Sequence, residues 1–255
     1  ACPECQRPAA VGVHCVDCVV AARRETPVRR TVLGARIRGG PPVVTYSLSG
    51  ACVAIYLGSR VFPWLFNSLV GLPAIGHLQP WRFLTTAFLH SPTNILHIAV
   101  NMYALWIVGS YLEFMLGRWR YLALWLVSAI GGSVAVLLLA GTGSAAWFTP
   151  VVGASGAVFG AFAAILIVLR RTGRDATQIL VLVAINLVLG FVVPGISWQA
   201  HLGGLITGGV LGAVYAFAPA RTRLAWSVSG TVGVMAVLVA AAVLKYGPGT
   251  VLAIS

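Results

Sequence analysis

A serine that opens an apolar run, in Gly153-Ala154-Ser155-Gly156, and a histidine that opens another, in Ala200-His201, are the residues of this sequence best suited to covalent chemistry. A serine hydroxyl is a weak nucleophile until a base removes its proton, and histidine is the commonest base. His97 and Asn101 stand four residues apart, which on a helix places both on one face. Such a set suits acyl transfer. Ser155 would attack, His201 would take its proton, and His97, Asn101 and the Ser155 backbone N–H at a helix start would stabilise the oxyanion. No carboxylate is placed to orient the base. Glu4, Asp17, Glu25 and Asp175 fall among the basic breaks of the chain, and Glu113 lies more than two turns beyond Asn101. The chemistry therefore runs on a dyad rather than a triad.

The elements that must position these residues belong in a bilayer. Of 255 residues, 59% are hydrophobic and 9% charged, with a mean hydropathy of +0.92, where a soluble domain carries about 25% charged residues. This excludes a disordered chain and disfavours a soluble enzyme. A helix crosses the roughly 30 Å hydrocarbon core in about 20 residues. Apolar runs of that order fall at 44–62, 94–116, 120–140, 153–169, 178–194, 199–218 and 226–246. The reading is an all-α polytopic membrane protein. It has a head over 1–22, a basic linker over 23–42, a six-helix core over 43–220, and a seventh transmembrane helix with its tail over 221–255.

Lys and Arg number 17 against 5 Asp and Glu, a formal +12. In a polytopic chain such an excess records orientation, because basic residues collect in cytoplasmic loops. With the head in the cytoplasm, every basic residue except Arg60, Arg82 and Lys245 falls on the inner side. The expected protein lies in the cell membrane with a cytoplasmic N-terminus and an external C-terminus. Sixteen of the basic residues are arginine, which with abundant Ala, Val and Gly hints at a GC-rich bacterial source.

This orientation brings the polar residues together. Spans two, four and six all enter from outside, and each carries its polar group in its first turns. His97, Asn101, Ser155 and His201 thus share a layer about 3 to 10 Å below the outer surface. Polar side chains at membrane depth are costly, so each is a functional candidate. Singly, such a serine usually bonds to its own backbone and such a histidine is usually interfacial; the shared depth favours chemistry. Gly156 and Gly160, with Gly204, Gly208 and Gly212, form small-xxx-small faces that let two helices approach closely. The break near 63–93, rich in Trp64, Trp81, Phe66 and Phe83, is expected to lie partly in the interface.

These residues resemble the rhomboid intramembrane serine proteases, over roughly residues 78–212. The resemblance is carried by Trp81-Arg82, by His90 with His97-x-x-x-Asn101, and by Gly109-x-x-x-Glu113-x-x-x-Gly117. It is completed by Gly153-Ala154-Ser155-Gly156 and Ala200-His201-x-x-Gly204-x-x-x-Gly208. It implies a rhomboid-like six-helix core, here with a seventh helix added. It implies cleavage of other proteins' transmembrane segments near the outer face, with Ser155 as nucleophile, His201 as base, and His97, Asn101 and Gly153 at the oxyanion. Trp81, Arg82, Glu113, Gly156, Gly204 and Gly208 would be structural. It also implies a half-embedded first outer loop, a fifth span that gates lateral substrate entry, and no catalytic cofactor. Three features depart from the common pattern: Phe159 stands where many relatives have Tyr, two extra residues separate His90 from His97, and the seventh span has no catalytic candidate.

Cys2-Pro3-Glu4-Cys5 and Cys15-Val16-Asp17-Cys18 form a CxxC…CxxC set, which in a reducing compartment predicts a structural zinc held by four thiolates, with His14 as a spare ligand. Cys52 reads as a buried apolar residue. Arg23, Arg24, Arg29 and Arg30 would meet anionic lipid headgroups, about 1 kcal/mol each, or a cytoplasmic partner. Nucleic acid ranks lower, because orientation already accounts for the charge. The alternative to a protease is a catalytically inactive rhomboid-like scaffold or chaperone, against which the intact Ser155 and His201 argue. A transporter is disfavoured by the lack of paired broken helices, and a zinc protease by the lack of HExxH.

Overall fold

A backbone in hydrocarbon must satisfy its own N–H and C=O groups, so apolar runs of this kind become helices. The computed structural model describes residues 5–8, 11–25, 29–193 and 195–247. A short hairpin, β1 (Gln6–Pro8) and β2 (Val13–Cys15), is followed by α1 (Val16–Glu25). Then come α2 (Val43–Val61), α3 (Pro63–Leu69), α4 (Arg82–Thr85) and α5 (Ile95–Ala104). A π-helical turn, Leu105–Gly109, joins α5 to α6 (Ser110–Leu116). The remaining helices are α7 (Arg118–Leu139), α8 (Ser155–Arg171), α9 (Thr177–Val192), α10 (Trp198–Ala216) and α11 (Arg223–Lys245). Among the described residues, Ile95–Leu116, Arg118–Leu139 and Arg223–Lys245 are long and apolar enough to cross a membrane, and α9 is a shorter apolar helix. Apart from the hairpin the protein is an all-α polytopic membrane protein. Leu180, Ile185 and Phe191 on α9 and Val232, Val237 and Val243 on α11 are exposed. Apolar surface on this scale is stable only against lipid or another protein.

The head corrects the expectation of zinc. Cys2 lies outside the described residues. Cys5 precedes β1, Cys15 closes β2 half-buried, and Cys18 is exposed in the first turn of α1. Among the described residues no group of three or more His, Cys, Asp or Glu side chains comes together to hold a metal. The CxxC spacing sets where thiols lie along the chain. Convergence of both pairs depends on how hairpin and helix fold back, and among the described residues no ligand group is assembled.

The linker is not a free tether. Thr31 to Ala35 makes a turn, with Gly34 at φ +77°, docked under the core with Leu33 and Ala35 buried. Thr31 Oγ1 donates to Met115 O at 2.9 Å, and Arg120 Nη2 donates to Leu33 O at 2.9 Å.

Glu113 is explained by the start of α2. That helix begins after Pro42 with no side-chain cap of its own, so its first N–H groups need an acceptor from elsewhere. The Glu113 carboxylate, 6% exposed, accepts from Val44 N (3.1 Å), Thr45 N (2.9 Å) and Thr45 Oγ1 (3.0 Å), with negative charge at the positive end of the helix dipole. Glu113→Ala strands these buried donors and is expected to cost about 2–4 kcal/mol, read as a lowered Tm in detergent, whereas Arg118→Ala, which removes an exposed 3.7 Å ion pair, costs under about 1 kcal/mol.

The core is a three-helix contact of α7, α8 and α10, where glycine takes the place of side chains. A Cβ on Gly204 would meet Gly156 Cα at 2.9 Å, and one on Gly160 would meet Gly204 O at 3.0 Å. Gly132 on α7 closes the third side against Ala200 O and Gly156 Cα. Backbone lies on backbone, which only glycine permits.

The last helix, α11, ends in a clasp. Tyr246, just after α11, donates to Pro73 O at 2.5 Å, and its ring packs on His77 (5.2 Å) and Trp147 (5.9 Å). The loop between α3 and α4 is thereby tied to α11. Tyr246→Phe keeps the rings and loses the hydrogen bond, about 1 kcal/mol; limited proteolysis should find the 70–81 segment cut faster, and an unchanged rate would mean that this bond does not hold the loop.

Candidate active site

Ser155 is the first residue of α8, and Ala154 and Gly153 lead into it. The approach is pinned to the loop before α5. Gly71 N donates to Val151 O at 3.1 Å and Val151 N to Gly71 O at 2.8 Å. Gly153 N donates to Thr86 O at 3.1 Å, and Thr86 Oγ1 makes a short bond to Val151 O. Gly153 has φ +132°, which favours glycine. A Cβ there would lie 2.9 Å from His97 Nε2 and 3.5 Å from Ser155 Oγ. The His97 ring and the Ser155 hydroxyl therefore border one small space above a residue that must lack a side chain.

His97 is held in a defined state. Ser91 N donates to its Nδ1 at 3.1 Å, so the neutral ring carries its proton on Nε2, the atom that faces Gly153. His90, fully buried, packs edge-on against it at 5.2 Å. Asn101 is buried one turn further along α5 and donates through Nδ2 to His97 O at 2.7 Å. That bond occupies one amide hydrogen and leaves the other.

His201, 7% exposed in the first turns of α10, stacks on Phe159 with ring centroids 4.1 Å apart and planes 13° from parallel. Phe159 lies one turn beyond Ser155, so the imidazole rests over the first turn of α8. The ring suffices for this stack, and a Tyr hydroxyl is not needed for it. On its other side α9 approaches through Gly190, where a Cβ would be 3.3 Å from His201 Nδ1. Phe191 stacks on Trp198 at 4.8 Å and joins the end of α9 to the start of α10.

The structure thus brings Ser155, His97, Gly153 and His201 to one place, with Asn101 beneath. Trp81 and Arg82 stand apart from it, in and beside α4 on the segment between α3 and α5. Trp81 Nε1 donates to Ser68 O at 3.1 Å, and buried Arg82 donates to Val70 O at 2.6 Å and Gln79 Oε1 at 2.5 Å. They hold the loop that pins residues 151–153. Gly156, Gly204 and Gly208 are the α8–α10 contact, and Glu113 is the remote cap of α2. Two participants were not foreseen: the Ser91 main-chain N–H, which leaves no trace in residue type, and Gly190, whose trace is a lone glycine in an apolar helix.

Comparison with known proteins places this chain in a family. The Rhomboid domain matches residues 77–218, and the chain belongs to the rhomboid family. Rhomboid protease GluP of Bacillus subtilis (strain 168) is 41% identical over 136 residues, 50% of this chain and 24% of that protein. RHOMBOID-like protein 4 of Arabidopsis thaliana is 34% identical over 194 residues, 67% of this chain and 47% of that protein. Rhomboid protease AarA of Providencia stuartii is 29% identical over 169 residues, 57% of this chain and 59% of that protein. The chain spans less than two thirds of the length of each of these relatives.

Proposed function

We propose that the protein is an intramembrane serine endopeptidase that cleaves transmembrane segments of other membrane proteins. The carrying observation is the stack of His201 on Phe159, which holds an imidazole against the helix α8 one turn from Ser155. Family membership and the protease names of two relatives support the reading.

In this mechanism Ser155 Oγ bonds to the scissile carbonyl carbon while His201 takes its proton. The oxyanion is met by the Ser155 N–H and by His97 Nε2–H, with the free Asn101 amide hydrogen within the same face of α5. Collapse breaks the C–N bond, and His201 returns the proton to the leaving amine. Water then attacks the acyl-serine with His201 again as base, which restores the enzyme. Phe159 does here the positioning that a carboxylate does in a triad, by fixing the plane of the ring. No cofactor enters any step.

The topology that goes with this reading is six core crossings (α2, the α5–α6 unit, α7, α8, α9 and α10) plus α11, with N-terminus inside and C-terminus outside. The substrate helix enters beside α9, whose exposed apolar face and glycine contact with His201 suit a gate. The test is cleavage of a reporter with one transmembrane segment, co-reconstituted in liposomes. A cut at or near the outer end of that segment, blocked by a serine-directed inhibitor, is the expected result; an intact reporter together with an unreactive Ser155 would reject the reading.

A further inference from the structure

At the opposite end of α8 from Ser155, about 25 Å away at 1.5 Å per residue, lies a cavity of about 270 Å³. Its walls include Leu33 of the docked linker, Arg171 and Thr172 at the end of α8, Phe217 after α10, and Arg223 at the start of α11. Arg171 extends over the Phe217 ring at 5.6 Å. The Arg223 side chain reaches Gly34, and its buried Nε has no hydrogen-bond acceptor. Behind Leu33 sits Arg120, 4% exposed. Its Nη2 is satisfied by Leu33 O, and its Nη1 is buried and unsatisfied. Arg120 and Arg223 are close enough to repel each other.

Two guanidinium groups lining one cavity, with a third behind Leu33, call for negative charge, and among the described residues no carboxylate lines that cavity. Among the described residues the one ion pair is Arg118–Glu113, and Glu113 is engaged with α2. Asp175, the nearest acid in sequence to Arg171, bonds to Thr177 N (3.0 Å) and Thr177 Oγ1 (2.7 Å); these bonds hold its carboxyl below the usual range. α11 begins at Arg223 without an acidic residue in its first turn or a side-chain cap, so its positive dipole end adds to the field. Buried, unsatisfied guanidinium N–H groups are costly, and a tetrahedral oxyanion is the partner that guanidinium geometry fits best.

We propose that this cavity binds a phosphate group, supplied by an anionic phospholipid headgroup of the adjacent leaflet or by free phosphate. Arg171 and Arg223 contact the anion directly, and Arg120 supplies charge from behind Leu33. The site is distinct from the dyad and from the arginines of the head. It also includes the docked linker, so occupancy stabilises the Thr31–Ala35 turn against the core.

The test uses the purified 255-residue chain, delipidated in a non-ionic detergent. Dioleoylphosphatidylglycerol, dioleoylphosphatidylcholine and inorganic phosphate are titrated separately, with bound lipid counted by native mass spectrometry and binding followed by Tm. Saturable binding of phosphatidylglycerol in preference to phosphatidylcholine is expected, weakened about fivefold or more by Arg171→Gln and by Arg223→Gln and within about twofold of wild type for the exposed control Arg170→Gln. If inorganic phosphate also binds saturably with the same arginine dependence, free phosphate is the source; if it does not compete, the lipid headgroup is. Arg171→Gln keeps the test valid should Arg223→Gln not fold. No saturable binding of either ligand by wild type, or an equal loss in the Arg170→Gln control, overturns the proposal.

Discussion

Ser155→Ala and His201→Ala are each expected to reduce cleavage by at least about 10⁴-fold, and Ser155→Ala/His201→Ala together by no more than either alone. A nucleophile and its base act as a unit, so removing one already forfeits most of what the pair supplies. The geometry makes the same statement locally: His201 is fixed over α8 by Phe159, while His97, the other imidazole near Ser155, accepts from Ser91 N at Nδ1 and so turns a protonated Nε2 toward the site. Phe159→Ala should fall between wild type and the dyad variants, with kcat lowered more than KM, because it frees the ring without removing it. His97→Ala and Asn101→Ala remove oxyanion donors and should each cost about 10² to 10³-fold, with His97 the more severe, since Ser91 N fixes its proton on the Nε2 that faces Gly153 whereas Asn101 already spends one amide hydrogen on His97 O. Kinetics with a transmembrane reporter check all six variants. Substantial turnover by either dyad variant, or a double variant far worse than the singles, would remove the assignment.

Gly204→Val is expected to have the second-largest effect, on folding and activity together. The added Cβ would enter the space of the Gly156 backbone, which no rotamer change can vacate. The helices must separate or the residue cannot be accommodated. Overpacking of this kind costs about 1–3 kcal/mol or more. It acts where α8 and α10 set the Ser155–His201 distance, and a displacement of about 1 Å costs about 10²-fold in rate. Gly233→Val is the control, since a Cβ at Gly233 meets nothing within 4 Å. The expected outcome is a lowered Tm and activity down by about 10²-fold or more in Gly204→Val, with Gly233→Val near wild type. Wild-type Tm and activity in Gly204→Val would mean that α8 and α10 are not in backbone contact.

What could be read from residue types was whatever the bilayer makes expensive. A serine, two histidines and an asparagine in the first turns of three apolar runs stand out because polar side chains are scarce in those runs, and glycines every fourth residue announce the helices that touch. The bounds of the helices follow from where Arg, Pro and Gly interrupt apolar runs. Long-range polar contacts were not legible. Glu113 as the cap of α2 depends on a partner 68 residues away, and Tyr246 on Pro73 on one 173 away. Val44 and Pro73 offer only main-chain atoms to these bonds, and Thr45 adds a single hydroxyl to its N–H. The predicted zinc failed for a related reason: two CxxC pairs state that ligands are available, while a hairpin of three-residue strands and a helix decide whether they meet. The docking of Leu33 was hidden within a segment whose arginines look like a solvated linker.

The most direct test of the central claim is fluorophosphonate labelling of the purified protein in detergent, with the adduct located by mass spectrometry in wild type, Ser155→Ala and His201→Ala. The account predicts a single adduct on Ser155 in wild type, none in Ser155→Ala, and labelling slowed to background in His201→Ala. A folded wild type that takes no label at Ser155, while a soluble serine hydrolase in the same detergent does, would contradict it.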